Sequence, residues 1–345
     1  MNDEFPRLTV VIPACNEERY ISRTIQYLLA QDYPPDRLEL LVGIADSTDH
    51  TEEVVKKIAA GELRIKWFRN PYRLSSGART LGAQRAAGEI IIFVDGHVYI
   101  DNNQLFRNTV RLMREKQVSV LSRPQPLDTP DNSFFQRAVS FARSSALGHA
   151  RDSTIYLKNE GYVSPSSSGA SYRREVFEKV GYFDLCFDAC EDVDFNYRCS
   201  KAGLRSYISM DLAVYYYPRA SLSSLFRQMA RYGAGRYRLA LKHPATLSIG
   251  TMIPFLMTVG LPLLGLLGLL WPVLLYPFGF LALAYVFGVL LFSTALSIRH
   301  GWAFLPAFCV IFPAIHLGLG WGFLRQLCVS LIRPGKTNAS SGAIT

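Results

Sequence analysis

The sequence predicts an α/β domain with a mostly parallel sheet, followed by an α-helical transmembrane region. Three observations carry this prediction. In the first part of the chain, strand-sized apolar runs alternate with amphipathic stretches. No acidic residue follows Asp211. Residues 244–298 contain no Asp, Glu, Lys, Arg or His at all.

Four apolar runs in the first part are each followed by a helix-like stretch. The strands are expected at 8–14, 38–45, 65–68 and 90–96, and the helices at 17–31, 52–60, 77–87 and 104–116. A parallel sheet binds its ligand at the carboxyl ends of the strands. The residues that follow these four ends are polar, namely Asn16 and Glu17, Asp46 and Asp49, Asn70 and Arg73, and Asp95 and His97. We therefore expect a single site at this edge of the sheet.

The uncharged stretch after residue 243 is 55 residues long, which is too long for one membrane span and suits two spans of about 20 residues. We expect these spans at 248–270 and 278–298. A further apolar segment, 303–324, contains two prolines and a series of glycines, and forms either a third span or a re-entrant pair. The positive-inside rule places the first domain in the cytoplasm, at the face of the inner membrane, with the chain as a multi-pass protein.

The formal net charge of +9 arises entirely after residue 211, where ten bases and no acid occur. Six of these bases precede the first expected span: Arg219, Arg227, Arg231, Arg236, Arg238 and Lys242. Anionic lipids attract such a segment, so membrane lipids, and no nucleic acid, are the expected partners. The expected domains are a cytoplasmic domain, a basic interfacial helical segment, a transmembrane region and a flexible tail, at 1–217, 218–246, 247–333 and 334–345.

Asp95-Gly96-His97 follows the fourth strand and suggests a divalent metal site. The chain has neither GxGxxG after the first strand nor GxxxxGK[ST], so a diphosphate must be held by other means. A carboxylate and an imidazole one residue apart can face the same ion, and this donor set suits Mn²⁺ somewhat better than Mg²⁺. The alternative is an ordinary turn in which Asp95 caps a helix.

A succession of motifs resembles the family 2 glycosyltransferases. The motifs are VIPACNEE (11–18), ADSTDHT (45–51), NPYRLSSGARTLGAQRAAGEIIIFVDGH (70–97), SSSGASYRREVF (166–177), CEDVDF (190–195) and RQMARY (227–232). The DGH sequence, the RYGAGR run and the three apolar segments are most similar to the membrane branch that includes succinoglycan-type exopolysaccharide glucosyltransferases. The resemblance implies a GT-A nucleotide-sugar-binding fold. It also implies inverting transfer of a hexose from UDP-glucose to a polyprenyl diphosphate-linked saccharide.

The resemblance also implies roles for residues near the first two strands. Pro13, Asn16 and Glu17 would line the nucleoside pocket, and Asp46 would accept a hydrogen bond from the base. Ala45 stands where many relatives have a further acid. On local grounds alone, Asn16 and Glu17 could instead begin a helix, and Asp46 could belong to a capping turn.

The resemblance identifies Asp95 and His97 as the metal-binding DxD-type motif, with Mn²⁺ or Mg²⁺ as the cofactor. His97 stands in place of the final acid, which leaves one less negative charge on the metal. Arg79 matches a basic position of the family and would hold the diphosphate. The alternative for Arg79, as for Arg73, is a solvated surface.

The resemblance gives the role of catalytic base to Asp192, with Glu191 and Asp194 as helpers in binding or positioning. Inverting transfer needs a carboxylate that removes the proton of the acceptor hydroxyl. The alternative is an acidic first turn of a helix without a catalytic role.

Gln228, Arg231 and Tyr232 resemble the QxxRW motif of the family, with Tyr in place of Trp. Arg231 would stabilise the departing diphosphate, and Tyr232 would stack near the acceptor. The segment is expected to be one helix, or two short helices broken at 233–235, at the membrane surface.

Two other functions fit the same fold. One is transfer to a polyprenyl monophosphate, and the other is an inactive membrane-anchored protein that binds nucleotide sugars. Because Asp95, His97 and Asp192 are all present, we expect an active enzyme.

Overall fold

A computed structural model of the chain describes residues 4–149, 155–156 and 160–332. The chain divides into two compact units. The first comprises residues 1–129 and 152–217, and the second comprises 130–151 and 218–345. Residues 130–151 thus group with the carboxyl-terminal region, although composition does not set them apart. The expected flexible tail, 334–345, lies outside the described residues.

The first unit is built on a mixed sheet of eight strands with a separate two-stranded sheet. The strands in chain order are β1 (Leu8–Ala14), β2 (Leu38–Ile44), β3 (Ile65–Arg69), β4 (Ile90–Phe93), β5 (Val98–Tyr99), β6 (Val120–Ser122), β7 (Gly161–Val163), β8 (Gly169–Arg173), β9 (Ser206–Ile208) and β10 (Tyr215–Tyr216). The order in the large sheet is β3-β2-β1-β4-β8-β6-β9-β7, and β5 pairs with β10.

The four strands expected from the apolar runs lie side by side and run parallel. Every residue of β2 and β4 is buried, as is typical of strands covered on both faces. The antiparallel strand β8 joins β4 to β6. The predicted α/β fold with a mostly parallel sheet is confirmed.

The helices alternate with the strands and then continue alone. They are α1 (Ile21–Leu29), α2 (Thr51–Gly61), α3 (Ser75–Arg85), α4 (Leu105–Glu115), α5 (Phe134–Arg143), α6 (Glu175–Val180), α7 (Glu191–Lys201), α8 (Leu222–Lys242), α9 (Ile249–Leu270), α10 (Leu275–His300) and α11 (Leu305–Ile332). Helix α5 belongs to the second unit together with α8 to α11.

Helix α1 begins at Ile21, so Asn16 and Glu17 do not form its first turn. Asn16 has a left-handed backbone with φ of 56°, which is incompatible with a right-handed helix. The carbonyl of Glu17 accepts hydrogen bonds from the amides of Tyr20 and Ile21, both at 2.9 Å. The expected helix start at residue 17 is therefore wrong, and both side chains lie on the loop before the helix.

A buried carboxylate, Glu39, ties together the strands that lead to the site. It accepts hydrogen bonds from the Thr9 hydroxyl and the Ala87 amide, both at 2.6 Å, and Lys66 Nζ lies 3.3 Å away. Burial opposes its charge, but these donors hold the pKa of Glu39 below its ordinary value. The network fixes the chain just before β4, which carries Asp95 at its far end.

Among the described residues of the second unit, three helices, α9 to α11, are long and apolar enough to cross a membrane. Helix α11 runs without interruption for 28 residues, with Pro313 inside it. The alternative of a re-entrant pair is therefore wrong. Helix α8 is also continuous, so the alternative of two short helices broken at 233–235 is wrong as well.

Glycines allow α8 and α11 to pack closely. A Cβ atom at Gly318 would lie 2.7 Å from Met229 Cβ. A Cβ at Gly322 would overlap the carbonyl oxygen of Ala230, and a Cβ at Gly233 would overlap the backbone of α11. Gly233, which suggested a break in α8, is thus a point of helix contact.

Candidate active site

The loops after β1 and β2 are joined by hydrogen bonds. The side-chain oxygen of Asn16 accepts from the backbone amide of Thr48 at 2.7 Å and from its hydroxyl at 3.1 Å. The amide of Glu17 donates to the hydroxyl of Thr51 at 2.7 Å. Pro13 lies within β1, one residue before its end. These bonds hold the segment of Asn16 and Glu17 against the segment after β2. The role of Pro13, Asn16 and Glu17 in a nucleoside pocket stays a prediction.

Asp46, on the loop after β2, is paired with two arginines. Its carboxylate lies 3.0 Å from Arg69 Nη2 and 2.6 Å from Arg73 Nη2. Hydrogen bonds from Arg69, and then from Arg73, lower the pKa of Asp46. Asp49, rather than Asp46, accepts the hydrogen bond from the Thr51 amide at the start of α2. The carboxylate of Asp46 is thus ionised and able to accept hydrogen bonds. Because Asp49 makes the bond to the first amide of α2, the capping alternative does not explain the position of Asp46.

Arg79, on α3, connects two acids from separate segments of the chain. Its Nη2 lies 2.7 Å from Asp95 Oδ1, and its Nε lies 3.5 Å from Glu191 Oε1. The guanidinium carbon lies 5.5 Å from the ring centroid of Phe93 and 5.9 Å from that of Phe183. Only 13 % of the side chain is exposed. The alternative of a solvated surface is therefore wrong for Arg79.

Helix α3 also fixes the segment that precedes α7. The hydroxyls of Ser76 and Thr80 donate to the carbonyls of Phe187 and Phe183, both at 3.0 Å. Both hydroxyls are buried. Because these residues flank Arg79 in sequence, the helix that carries Arg79 also places the acidic start of α7.

The acidic start of α7 contains three carboxylates with different surroundings. Asp194 is wholly buried, and its Oδ2 lies 3.1 Å from Arg198 Nε, so it stabilises the helix. Glu191 is buried toward Arg79, and burial followed by the charge of Asp192 raises the pKa of Glu191. Asp192 is partly exposed. The acidic first turn that the alternative predicts does form. A purely structural role explains the surroundings of Asp194, but not those of Glu191 and Asp192.

Asp95 follows β4 and is surrounded by positive charge. Burial opposes its ionisation, but the guanidinium of Arg79 above all, with that of Arg123, keeps the pKa of Asp95 below its ordinary value. Burial opposes the charge of Arg79 as well, but Asp95, and after it Glu191, raise the pKa of Arg79. Asp95 is therefore ionised when the site has no ligand.

Two further residues at this site were not predicted from the sequence. The phenol of Tyr216 further lowers the pKa of Asp95, and its ring lies 6.0 Å from the ring of His97 between centroids. Arg123 is almost fully buried, and its Nη2 donates to the Phe93 carbonyl at 2.7 Å. Burial raises the pKa of Tyr216, so the phenol keeps its proton. The only sequence signal is the run of tyrosines at 215–217.

His97 lies next to Glu17. Its Nδ1 is 2.7 Å from Glu17 Oε1, and both side chains are largely buried. Within the described residues there is no group of three or more His, Cys, Asp or Glu side chains arranged to hold a metal ion. One carboxylate and one imidazole still fit Mn²⁺ or Mg²⁺ if the diphosphate and water supply the remaining ligands. Metal binding by Asp95 and His97 stays a prediction.

Gln228, Arg231 and Tyr232 lie on α8 in the second unit. Gln228 Nε2 is 3.3 Å from the hydroxyl of Tyr232, one helical turn away. The guanidinium carbon of Arg143, on α5, lies 5.8 Å from the centroid of the Tyr232 ring. The roles of the three residues in binding diphosphate and acceptor stay predictions.

Comparison with known proteins identifies relatives over most of the chain. A family model described as glycosyltransferase like family 2 matches residues 6–235. The chain is 33 % identical to the succinoglycan biosynthesis protein ExoA of Rhizobium meliloti (strain 1021), over 71 % of this chain and 73 % of that protein. It is 24 % identical to a dolichyl N-acetyl-alpha-D-glucosaminyl phosphate 3-beta-D-2,3-diacetamido-2,3-dideoxy-beta-D-glucuronosyltransferase of Methanococcus voltae, over 79 % of this chain and 78 % of that protein.

Among solved structures, the chain is similar to the mannosyltransferase PcManGT from Pyrobaculum calidifontis, solved in complex with GDP-Man and Mn²⁺. The TM-score is 0.59 at 20 % sequence identity, and the match covers 93 % of this chain and 87 % of that one. This similarity supports the same fold.

Proposed function

Because the chain belongs to glycosyltransferase family 2, we propose that it is an inverting enzyme of exopolysaccharide or lipid-linked glycan synthesis. It transfers a hexose, glucose from UDP-glucose, to a saccharide carried on a polyprenyl diphosphate. The observation that carries the proposal is the pair of contacts that Arg79 makes with Asp95 and Glu191. They bring the end of β4 and the acidic start of α7 to one site.

In the proposed reaction, Asp192 removes the proton from the acceptor hydroxyl as its oxygen attacks the anomeric carbon. The bond from that carbon to the diphosphate oxygen breaks on the opposite face, and the electron pair leaves with the nucleoside diphosphate. Burial, followed by the charge of Asp192, raises the pKa of Glu191 to about 7, so Glu191 exchanges a proton near neutral pH. Asp192 is the partly exposed member of the pair, and its access to an incoming hydroxyl suits it as the base.

Donor binding in this proposal uses the remaining residues of the strand ends. Pro13, Asn16 and Asp46 contact the nucleoside, and Arg79 contacts the diphosphate. Asp95 and His97 would hold Mn²⁺ or Mg²⁺, and the bound ion would supply positive charge next to the diphosphate. The pairs that Asp46 makes with Arg69 and Arg73 keep its carboxylate ionised as an acceptor.

The proposed acceptor is lipid-linked and the proposed location is the cytoplasmic face of the inner membrane. Three long apolar helices support membrane association. The name of the M. voltae relative includes a dolichyl-linked phosphate sugar, which is an acceptor of the same chemical class. The bases before the first apolar helix favour the cytoplasmic side. Arg231 and Tyr232 on α8 are proposed to act on the departing diphosphate and the acceptor.

The proposal is tested by transfer of radiolabelled sugar with the full-length protein in native membranes. UDP- and GDP-sugars are supplied with Mn²⁺, and the lipid extract is counted. We expect label from UDP-glucose, loss of transfer in EDTA, and recovery when Mn²⁺ or Mg²⁺ is added. Nucleotide binding without transfer would indicate the inactive binding protein instead. Full transfer in EDTA would exclude the role of the metal.

The acceptor is distinguished by the product. Mild acid releases sugar from the lipid, and thin-layer chromatography separates the released species. A labelled oligosaccharide is expected for a saccharide acceptor. A labelled monosaccharide would indicate transfer to polyprenyl monophosphate. The resemblance of Gln228, Arg231 and Tyr232 to the QxxRW motif favours the saccharide acceptor.

A further inference from the structure

The carboxylate of Glu17 faces His97 across Gly96. Glu17 Oε1 lies 2.7 Å from His97 Nδ1. A Cβ atom at Gly96 would lie 2.9 Å from Glu17 Cγ and 3.3 Å from Glu17 Cδ. The Glu17 side chain therefore lies against the backbone of Gly96. Any larger residue at the centre of DGH would displace it, so the glycine and the carboxylate fit each other.

The backbone on both sides of this contact is held in place. The hydroxyl of Thr24, a wholly buried residue of α1, donates to the Gly96 carbonyl at 2.9 Å and accepts from the Val98 amide at 3.2 Å. The amide of Glu17 donates to Thr51 at 2.7 Å. Both partners of the Glu17–His97 contact thus come from fixed backbone.

We infer that Glu17 is a positioning residue for a metal-binding His97. Its carboxylate accepts the hydrogen bond from Nδ1–H, which leaves the imidazole lone pair on Nε2 as the metal ligand. It also supplies the negative charge that DGH lacks relative to a motif with two acids. Metal-bound histidines commonly donate their second N–H to a carboxylate in this way. The inference rests on the metal site of the proposed function, and it gives Glu17 a role other than lining the nucleoside pocket.

Three substitutions of Glu17 separate its hydrogen bond from its charge. Glu17→Ala removes both, Glu17→Gln keeps an acceptor oxygen without the charge, and Glu17→Asp keeps the charge on a shorter side chain. The chain offers a matched control at its surface, where Glu53 Oε2 lies 2.6 Å from His50 Nδ1 with both side chains exposed. Glu53→Gln removes the charge from the same kind of pair away from the metal motif.

Mn²⁺ is titrated into the full-length protein in detergent, and free Mn²⁺ is measured by electron paramagnetic resonance. We expect Glu17→Ala to weaken Mn²⁺ binding about 10- to 100-fold, Glu17→Gln to weaken it less, and Glu53→Gln to leave it unchanged. Wild-type affinity in Glu17→Ala would overturn the inference, as would a wild-type chain that does not bind Mn²⁺.

A second readout needs neither metal nor turnover. In protein with ¹⁵N-labelled histidine, NMR reports which ring nitrogen carries the proton, and His97→Asn identifies the His97 signals. We expect the Nδ1–H form in the wild type and in Glu17→Gln, and its loss in Glu17→Ala. An unchanged His97 spectrum in Glu17→Ala would contradict the inference. If Mn²⁺ affinity and the His97 spectrum respond as expected but no sugar is transferred, the inference stands and the proposed function fails.

Discussion

Nη2 of Arg79 lies 2.7 Å from Oδ1 of Asp95. The same guanidinium reaches Glu191 on α7, where Nε lies 3.5 Å from the carboxylate. One largely buried cation therefore joins the end of a parallel strand to the start of a helix that follows about a hundred residues later. The arrangement of the candidate site depends on this residue.

Replacement of Arg79 by Ala should destabilise the first unit. It would leave two largely buried carboxylates without their cation, which costs about 3 kcal/mol. For a unit of this size, that loss corresponds to a thermal midpoint lower by roughly 6–12 °C. The measurement is thermal unfolding of the full-length protein in detergent, followed by tryptophan fluorescence.

Arg73→Ala is the control for Arg79→Ala, because Arg73 also pairs with a carboxylate but is 73 % exposed. Exposed pairs contribute less than about 1 kcal/mol, so its midpoint should stay within about 4 °C of the wild type. Equal losses in the two variants would contradict the structural role of Arg79.

Glu39→Gln should lower stability at neutral pH and lose that effect in acid. The folded protein holds the pKa of Glu39 below its ordinary value, so the carboxylate contributes fully above the unfolded pKa of about 4.3. That contribution disappears as the pH falls through the lower folded pKa. Loss of the charge-assisted hydrogen bonds should cost about 1.5–3 kcal/mol at pH 7.

The measurement for Glu39→Gln is the thermal midpoint at pH 7 and at successively lower pH values. Wild type and variant should converge in acid. Glu52→Gln removes a carboxylate from an exposed pair on α2 and should change little at any pH. A difference between wild type and Glu39→Gln that is constant with pH would show that the charge is not responsible.

The part of the fold that the sequence predicts well is the part with long apolar runs. Strands β1, β2 and β4 are buried runs with polar residues after them, and their positions follow from that pattern. Strand β3 lies at the edge of the sheet and is mostly exposed, but it is apolar enough to be found from the sequence. Strands β5 to β10 have two to five residues each, and their pairing depends on contacts distant in sequence. Short strands carry too few residues for a periodic signal.

The same limit explains the residues missed at the site. Tyr216 lies beside His97 because β10 pairs with β5. Arg123 follows β6 and reaches the Phe93 carbonyl at the end of β4 because β6 joins the large sheet. The later start of α1 depends on the left-handed backbone of Asn16, which polar character alone does not predict. Asp95, His97 and Glu191 could be found because each belongs to a motif.

In α8 the sequence signal was present but misleading. Gly233 and Gly235 suggested a break because glycine is a weak helix former. In the structure Gly233 faces the backbone of α11, so the missing side chain is what permits contact. Tertiary packing therefore outweighs propensity in this helix.

Gly322→Leu should disrupt the second unit. A side chain at this position would overlap the backbone of Ala230 on α8, and overpacking of this kind costs about 1–3 kcal/mol. Gly288→Leu is the matched control, because a Cβ atom at Gly288 on α10 meets nothing within 4 Å. The yield of monodisperse protein in detergent and its thermal midpoint should fall for Gly322→Leu only. Equal behaviour of the two variants would contradict the packing of α8 on α11.

Asp192 and Asp194 lie in the same turn of α7, but their replacement by Asn should affect different properties, activity for Asp192 and stability for Asp194. Asp194→Asn removes the charge of a wholly buried carboxylate that pairs with Arg198, so it should lower the thermal midpoint. Asp192→Asn removes the proposed base from a partly exposed position, so it should leave the midpoint close to that of the wild type. A lower midpoint in Asp192→Asn would mean that its loss of transfer reflects stability.

The most direct test of the account is the initial rate of label transfer from UDP-[¹⁴C]glucose into lipid by membranes containing Asp192→Asn, compared with the wild type at equal amounts of folded protein. A general base contributes about 10²- to 10⁴-fold to the rate. The account predicts that transfer falls at least about 100-fold while the thermal midpoint is retained. Transfer by Asp192→Asn at the wild-type rate would contradict it.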